Sequence, residues 1–260
     1  PQEIVLFYTD AFMADEACLG IKPAHIFPRA SQHIPEMITM IEKLLDMGYA
    51  YNAAGNIYFD ITKSDSYGKL SGNVYERLLA GTRTDTDPLK RRQGDFSLWK
   101  QAEPGRLLKW SSPWGDGFPG WHIECSAMST KHLGPELDIH TGGVDNIFPH
   151  HEGEIAQSEA AFGKPFARHW IHSQHLLIDG LRMAKSTGNS YVISDLHNLG
   201  FEPLSLRYLC LTVHYRNRLN FSFTSLRASQ KALRRLRNQM TYWQRQSDTE
   251  QRVIEAEAQW

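Results

Sequence analysis

The chain has 260 residues, 41% of them hydrophobic and 22% charged, with a net charge of -1. That is enough apolar material for one large domain or two smaller ones with a true core, and near-neutrality excludes a global basic field, so any RNA contact must come from a local patch. No run reaches transmembrane length, no charged-then-apolar leader opens the chain, and three scattered cysteines (Cys18, Cys125, Cys210) are too few for a disulfide framework, which points to a reducing, cytoplasmic setting.

The opening "PQEIVLFYTDAF" reads as the middle of an element, and hence as part of a longer protein; a processed or tagged start is the alternative. Ile34, Met37, Ile38, Ile41, Leu44 and Leu45 then fall on one helical face, with Ser31 as N-cap and Gly48 as stop. "YAYNAAGNIYFDIT" alternates around a Gly-Asn turn and predicts a β-hairpin. Residues 64 to 94 are polar and read as a loop or small insertion. "DFSLWK" and the turn-rich "SSPWGDGFPGWHIECSAM" follow, the latter leading into a helix. "HWIHSQHLLIDG" reads as a strand entering a tight loop. From Ser225, Leu226, Leu233, Leu236, Met240 and Trp243 recur at helical spacing beside a run of cations from Arg227 to Arg245. Those cations can track a nucleic-acid backbone or form a solvated face. The solvated face is the favoured reading, with Met240 and Trp243 turned into a core.

Three stretches carry chemistry. In "PHHEGE", His150 and Glu154 stand four apart and share a helix face, while His151 lies on another. Cys125 completes a thiolate, imidazole and carboxylate set that suits zinc, and eight of the twelve histidines fall between His122 and His175. A solvated helix face is the bland alternative. In "HTGGVD", Gly142 and Gly143 permit close approach to the backbone, His140 can donate to a phosphate, and Asp145 can accept from a hydroxyl. The alternative there is a plain strand-to-helix turn. In "LRMAKSTGNSY", Lys185 and Ser186 sit in a donor-rich loop that suits a triphosphate, or form an ordinary surface loop.

Taken in order, "SPWGDGFPGWHIECSAM", "DIHTGGVDNIFPHHEGEIAQSEA", "RMAKSTGN" and "LRYLCLTVHYRNRLNFS" resemble the cysteinyl-tRNA synthetases, which are class I aminoacyl-tRNA synthetases. The resemblance runs over nearly the whole chain. It implies an α/β fold: part of a Rossmann-like catalytic domain with an insertion, then a helical region leading to an anticodon-binding domain. The implied division is residues 1–60 for the remainder of the first Rossmann half and the start of the insertion, and 61–110 for the insertion. Residues 111–222 would form the second half with the zinc site and KMSKS-like loop, and 223–260 the helical region. By resemblance Cys125, His150 and Glu154 are zinc ligands, and the zinc holds the substrate cysteine's thiolate and so rejects serine. Trp121 would lie near the amino-acid side chain, and His140, Gly142, Gly143 and Asp145 near the adenylate. Lys185 and Ser186 would act on ATP, which carries magnesium. The implied partners are tRNA(Cys), cysteine and ATP, with no membrane, for a monomer.

"RMAKS" departs from the family's KMSKS loop at Arg182 and Ala184 but keeps Lys185; Gly153 stands where the family usually has asparagine. The family's HIGH motif and its fourth ligand cysteine are not found in the sequence, and Cys18 reads instead as a half-buried helix cysteine. The implied reaction is ligation of cysteine to tRNA through a cysteinyl-adenylate. A cysteine ligase of the mycothiol-pathway type and a non-catalytic truncated paralogue that binds tRNA or a partner are the alternatives.

Overall fold

In the computed structural model, which describes residues 2–65, 67–72 and 87–257, the chain divides into two units: residues 26–173, and residues 1–25 with 174–260. Part of the 64–94 insertion therefore lies outside the described residues.

The 26–173 unit begins with helix α2 (Ile34–Asp46), which follows α1 (Gln2–Cys18) of the other unit. Its apolar stripe is as expected, but Ser31 is not the cap. Residues Ala30–Gln32 form their own tight turn, His33 holds the cap position without a side-chain cap bond, and Pro35 fits the first helical turn. Gly48 ends the helix at φ 77°, as read from the sequence. Strands β1 (Ala50–Ala53) and β2 (Asn56–Phe59) form the expected hairpin. Its turn is Ala54–Gly55 rather than Gly55–Asn56, because both residues take positive φ (51° and 83°), as a two-residue turn matched to strand twist demands. β3 (Phe96–Gln101) and β4 (Gly117–Pro119) extend this into an antiparallel sheet in the order β1-β2-β3-β4.

Helix α3 (Trp121–Leu133) leads to β5 (Leu137–Gly143), α4 (Glu152–Phe162) and β6 (Ala167–Ser173). β5 and β6 are parallel with α4 as the crossover, the strand–helix–strand unit of a doubly wound fold. Met37, Ile41 and Leu44 of α2 bury against Ile57, Phe59, Leu98 and Trp99 of the sheet and Ile123 of α3. Ile41 is fully enclosed. Truncating Ile41→Ala is expected to cost about 3 kcal/mol, transfer and cavity terms together, in a urea unfolding curve.

The second unit holds β7 (Leu176–Ile178), β8 (Leu181–Arg182) and β9 (Leu219–Phe221) in the order β8-β7-β9, with helices α5 (Ile193–Asn198), α6 (Pro203–Leu211) and α7 (Phe223–Glu257). Its core is Ile178, Leu196, Phe201, Leu209, Phe221 and Leu226. Arg207 of α6 donates to the carbonyls of Leu19 and Gly20 just beyond α1. Two sequence readings fail here. Cys18 is exposed, because α1 does not bury that face among the described residues. Met240 and Trp243 are exposed as well, at 49% and 54%: α7 outruns the core that Leu226 anchors. Of its cations, Arg237 and Arg234 pair with Glu202 at 2.5 and 3.9 Å. No helix among the described residues is long and apolar enough to cross a membrane.

Candidate metal centre

α3 and α4 are locked together by buried polar contacts. Gln157 Nε2 donates to the His122 carbonyl and to Ser126 Oγ, both at 2.6 Å, and Ser158 Oγ donates to Ser126 Oγ at 3.0 Å. This lock brings Cys125, the fifth residue of α3, to the first turn of α4. Cys125, His150 and Glu154 offer a sulfur, a ring nitrogen and a carboxylate oxygen that all lie within 4.8 Å of one another. The i,i+4 spacing is realised as a 2.7 Å contact between His150 Nε2 and Glu154 Oε1.

Glu154 is wholly buried. Its other oxygen, Oε2, stands 2.9 Å from His140 Nε2. These are close polar contacts without hydrogen-bond alignment, so both carboxylate oxygens are buried acceptors with no hydrogen bond. A buried acceptor left bare costs free energy, so such an atom calls for a ligand. Burial pushes the Glu154 carboxyl up, but the adjacent His140 and His150 imidazoles outweigh it and bring the group down to about 2. Burial first, then the Glu154 and Glu124 carboxylates, push the Cys125 thiol up to about 12. In the metal-free chain Cys125 is therefore a thiol beside an ionised carboxylate. A soft divalent cation would favour the thiolate and satisfy both orphaned oxygens. The donor set fits such an ion.

Neighbouring rings fix His150. Trp121, itself 55% exposed, stacks on the His150 ring at 4.1 Å. His122 Nδ1 lies 3.0 Å from His150 Nδ1, and burial lowers His122 to about 4, so it is neutral at pH 7. One of the two Nδ1 atoms must then carry the shared proton. A cation held by His150 and Glu154 together would need the proton on His150 Nδ1, which leaves the Nε2 lone pair free to ligate. Sequence reasoning passed over His122; its signal was adjacency to Trp121 in "GWHIEC" and the crowding of histidines in this region.

A second donor set shares the same carboxylate: His140, His151 and Glu154 also lie within 4.8 Å of one another. The His151 ring lies 5.7 Å from that of His150, tilted by 44°, and its Nδ1 lies 2.8 Å from His172 Nε2 of β6. Trp170 packs edge-on against His140 at 4.8 Å.

The paired glycines end β5. A Cβ at Gly142 would stand 2.7 Å from the His151 ring, and one at Gly143 only 2.3 Å from Asp145 Oδ1. On that side of the backbone the glycines make room for the chain's own side chains. His140 lies beside Glu154, and Asp145 folds back over Gly143 in the short turn Val144–Asn146.

Lys185 and Ser186 belong to the other unit, in a short helical turn Lys185–Thr187 after β8. Asn189 organises this loop. Its Oδ1 accepts from the Ala184 N–H at 2.9 Å and from Thr187 Oγ1 at 2.6 Å, and its Nδ2 donates to the Arg182 carbonyl at 3.2 Å. Ser186 is exposed.

Among known proteins, the family model described as tRNA synthetases class I (C) catalytic domain matches residues 2–231. The cysteine–tRNA ligase of Chlorobaculum tepidum is 48% identical over 243 residues, which is 93% of this chain and 49% of that protein. A cysteine–tRNA ligase of Thermus thermophilus is 48% identical over 236 residues, 91% of this chain and 49% of that protein. The chain thus spans about half the length of the curated relatives it matches. A methionyl-tRNA synthetase of Mycobacterium tuberculosis, solved with methionyl-adenylate, superposes with a TM-score of 0.59 at 15% identity over 84% of this chain and 53% of that one. That likeness concerns the fold.

Proposed function

The chain belongs to the class I tRNA synthetase (C) catalytic-domain family, and from that premise we propose that it forms the catalytic part of a cysteine–tRNA ligase that works as a cytoplasmic monomer. Its substrates would be cysteine, ATP with magnesium, and tRNA(Cys). The cysteine carboxylate would attack the α-phosphorus of ATP and expel pyrophosphate; a terminal ribose hydroxyl of the tRNA would then take the cysteinyl group and release AMP.

Cys125, His150 and Glu154 would hold zinc. When bound, the zinc would favour the substrate's thiolate over a serine hydroxyl, since soft sulfur outcompetes neutral oxygen at such a site. Trp121, stacked on His150 and open to solvent, would line the side-chain pocket. His140, Gly142, Gly143 and Asp145 would contact the adenylate. Lys185 and Ser186 would neutralise the departing pyrophosphate, a step that depends on placed charge rather than on proton transfer. Arg182 would keep charge in the loop with a wider donor fork, and Ala184 gives up a hydroxyl. We retain the division at residues 60, 110 and 222 as the corresponding domain scheme.

The observation that carries this reading is Glu154, whose two buried and unbonded oxygens sit beside Cys125 and His150. Elemental analysis of the purified chain tests it. Near-stoichiometric zinc is expected, and most of it should be lost in Cys125→Ser, which swaps a thiolate for a poor hydroxyl ligand. Zinc-free wild-type protein, or undiminished zinc in the variant, would refute the assignment.

A further inference from the structure

Glu152 is fully buried and belongs to neither donor set. Its Oε1 accepts the Gly68 N–H at 2.8 Å, and its Oε2 accepts those of Ser71 at 2.9 Å and Leu70 at 3.2 Å. Three backbone donors converge on one carboxylate, which satisfies both of its buried oxygens. The same segment touches α4 twice more. Leu70 packs on the small core of Leu137, Ile155 and Phe166, and Lys69 Nζ meets Glu159 at 2.5 Å. Glu152, Ile155 and Glu159 are spaced three and four apart and so form one stripe of α4. His150 and Glu154 stand two residues to either side of Glu152, on the opposite face. The backbone before them is not a continuous α-helix, since Phe148 has non-helical angles (φ -137°, ψ 133°).

We propose that Glu152 is a positioning residue for the metal centre: residues 68–71 clamp α4 through it, and the clamp sets where His150 and Glu154 stand relative to Cys125. The inference rests on the metal reading above. Glu152→Gln keeps the shape but offers a single acceptor oxygen and turns an NH2 toward backbone donors, so at least one N–H loses its partner and the first turn of α4 loosens.

The test is cobalt(II) titration of the whole chain, followed by the thiolate-to-cobalt charge-transfer absorption, with zinc affinity taken from chelator competition. Circular dichroism confirms that each variant is folded. In folded Glu152→Gln the metal dissociation constant is expected to rise about tenfold or more, the usual cost of losing an outer-shell partner. Glu152→Asp, which keeps the charge on a shorter arm, should show a smaller rise, and it serves alone if the Gln variant does not fold. A folded variant that keeps the wild-type cobalt spectrum and affinity to within about twofold overturns the positioning role and leaves the metal reading intact. Absence of cobalt and zinc binding in the unaltered chain overturns the metal reading, and the positioning role with it.

Discussion

Glu154→Gln is expected to strip the chain of metal: zinc content should fall to background and cobalt(II) affinity should drop by more than about hundredfold, since a neutral amide is a poor ligand and a direct ligand outweighs the outer-shell partners whose loss costs 10–100-fold. The substitution is isosteric, so it opens no cavity. It removes a buried negative charge that both His140 and His150 face. An incoming cation would then meet only neutral groups in the donor set, because burial already keeps Cys125 a thiol whose proton must leave for it to bind. The metal-free variant should remain folded, because Glu154 accepts no aligned hydrogen bond that would be lost. Circular dichroism unchanged with metal absent is the expected pair of results. Retention of wild-type cobalt affinity would mean that the donors lie elsewhere.

The pairing of His150 with Glu154 was legible because it rests on spacing. His150 and Glu154 stand one helical turn apart in any helix, and the repeat of apolar residues from Ile34 to Leu45 leaves α2 little choice of face. The hairpin follows from alternation, and its turn slipped by one residue only because Ala54 tolerates the left-handed region beside Gly55. What could not be read are contacts between residues far apart in the chain. Glu152 looks like one more acid on a helix; its partners, Gly68 to Ser71, lie more than eighty residues upstream. His122 is enclosed only because β3 and α4 close over it, with Phe96 edge-on at 5.1 Å. Met240 and Trp243 were misread for the converse reason: helical periodicity shows which residues share a face, but not whether anything covers it.

The glycines of "WGDGFPGW" make the same point most sharply, and Gly120→Ala is expected to destabilise the chain by about 3 kcal/mol, the upper part of the range for overpacking. Gly120 has φ -68° and ψ 161°, angles any residue adopts, so backbone freedom is not why glycine stands there. Space is the reason. A Cβ at this position would lie 1.8 Å from the Ser97 carbonyl oxygen and 2.7 Å from its carbon, both rigid backbone atoms. Gly120 is also the N-cap of α3, and its N–H donates to the Leu98 carbonyl at 2.8 Å. A methyl group must therefore push α3 away from β3 and stretch that bond. Trp121, His122 and Cys125 all ride on the first turns of α3, so the displacement reaches the donor set. A urea midpoint shifted downward at constant slope should accompany weaker cobalt binding in the fraction that remains folded. If stability fell while metal affinity held, α3 would be tilting about Cys125 rather than withdrawing. If neither changed, β3 and α3 would not be in the close contact that gives this glycine its purpose.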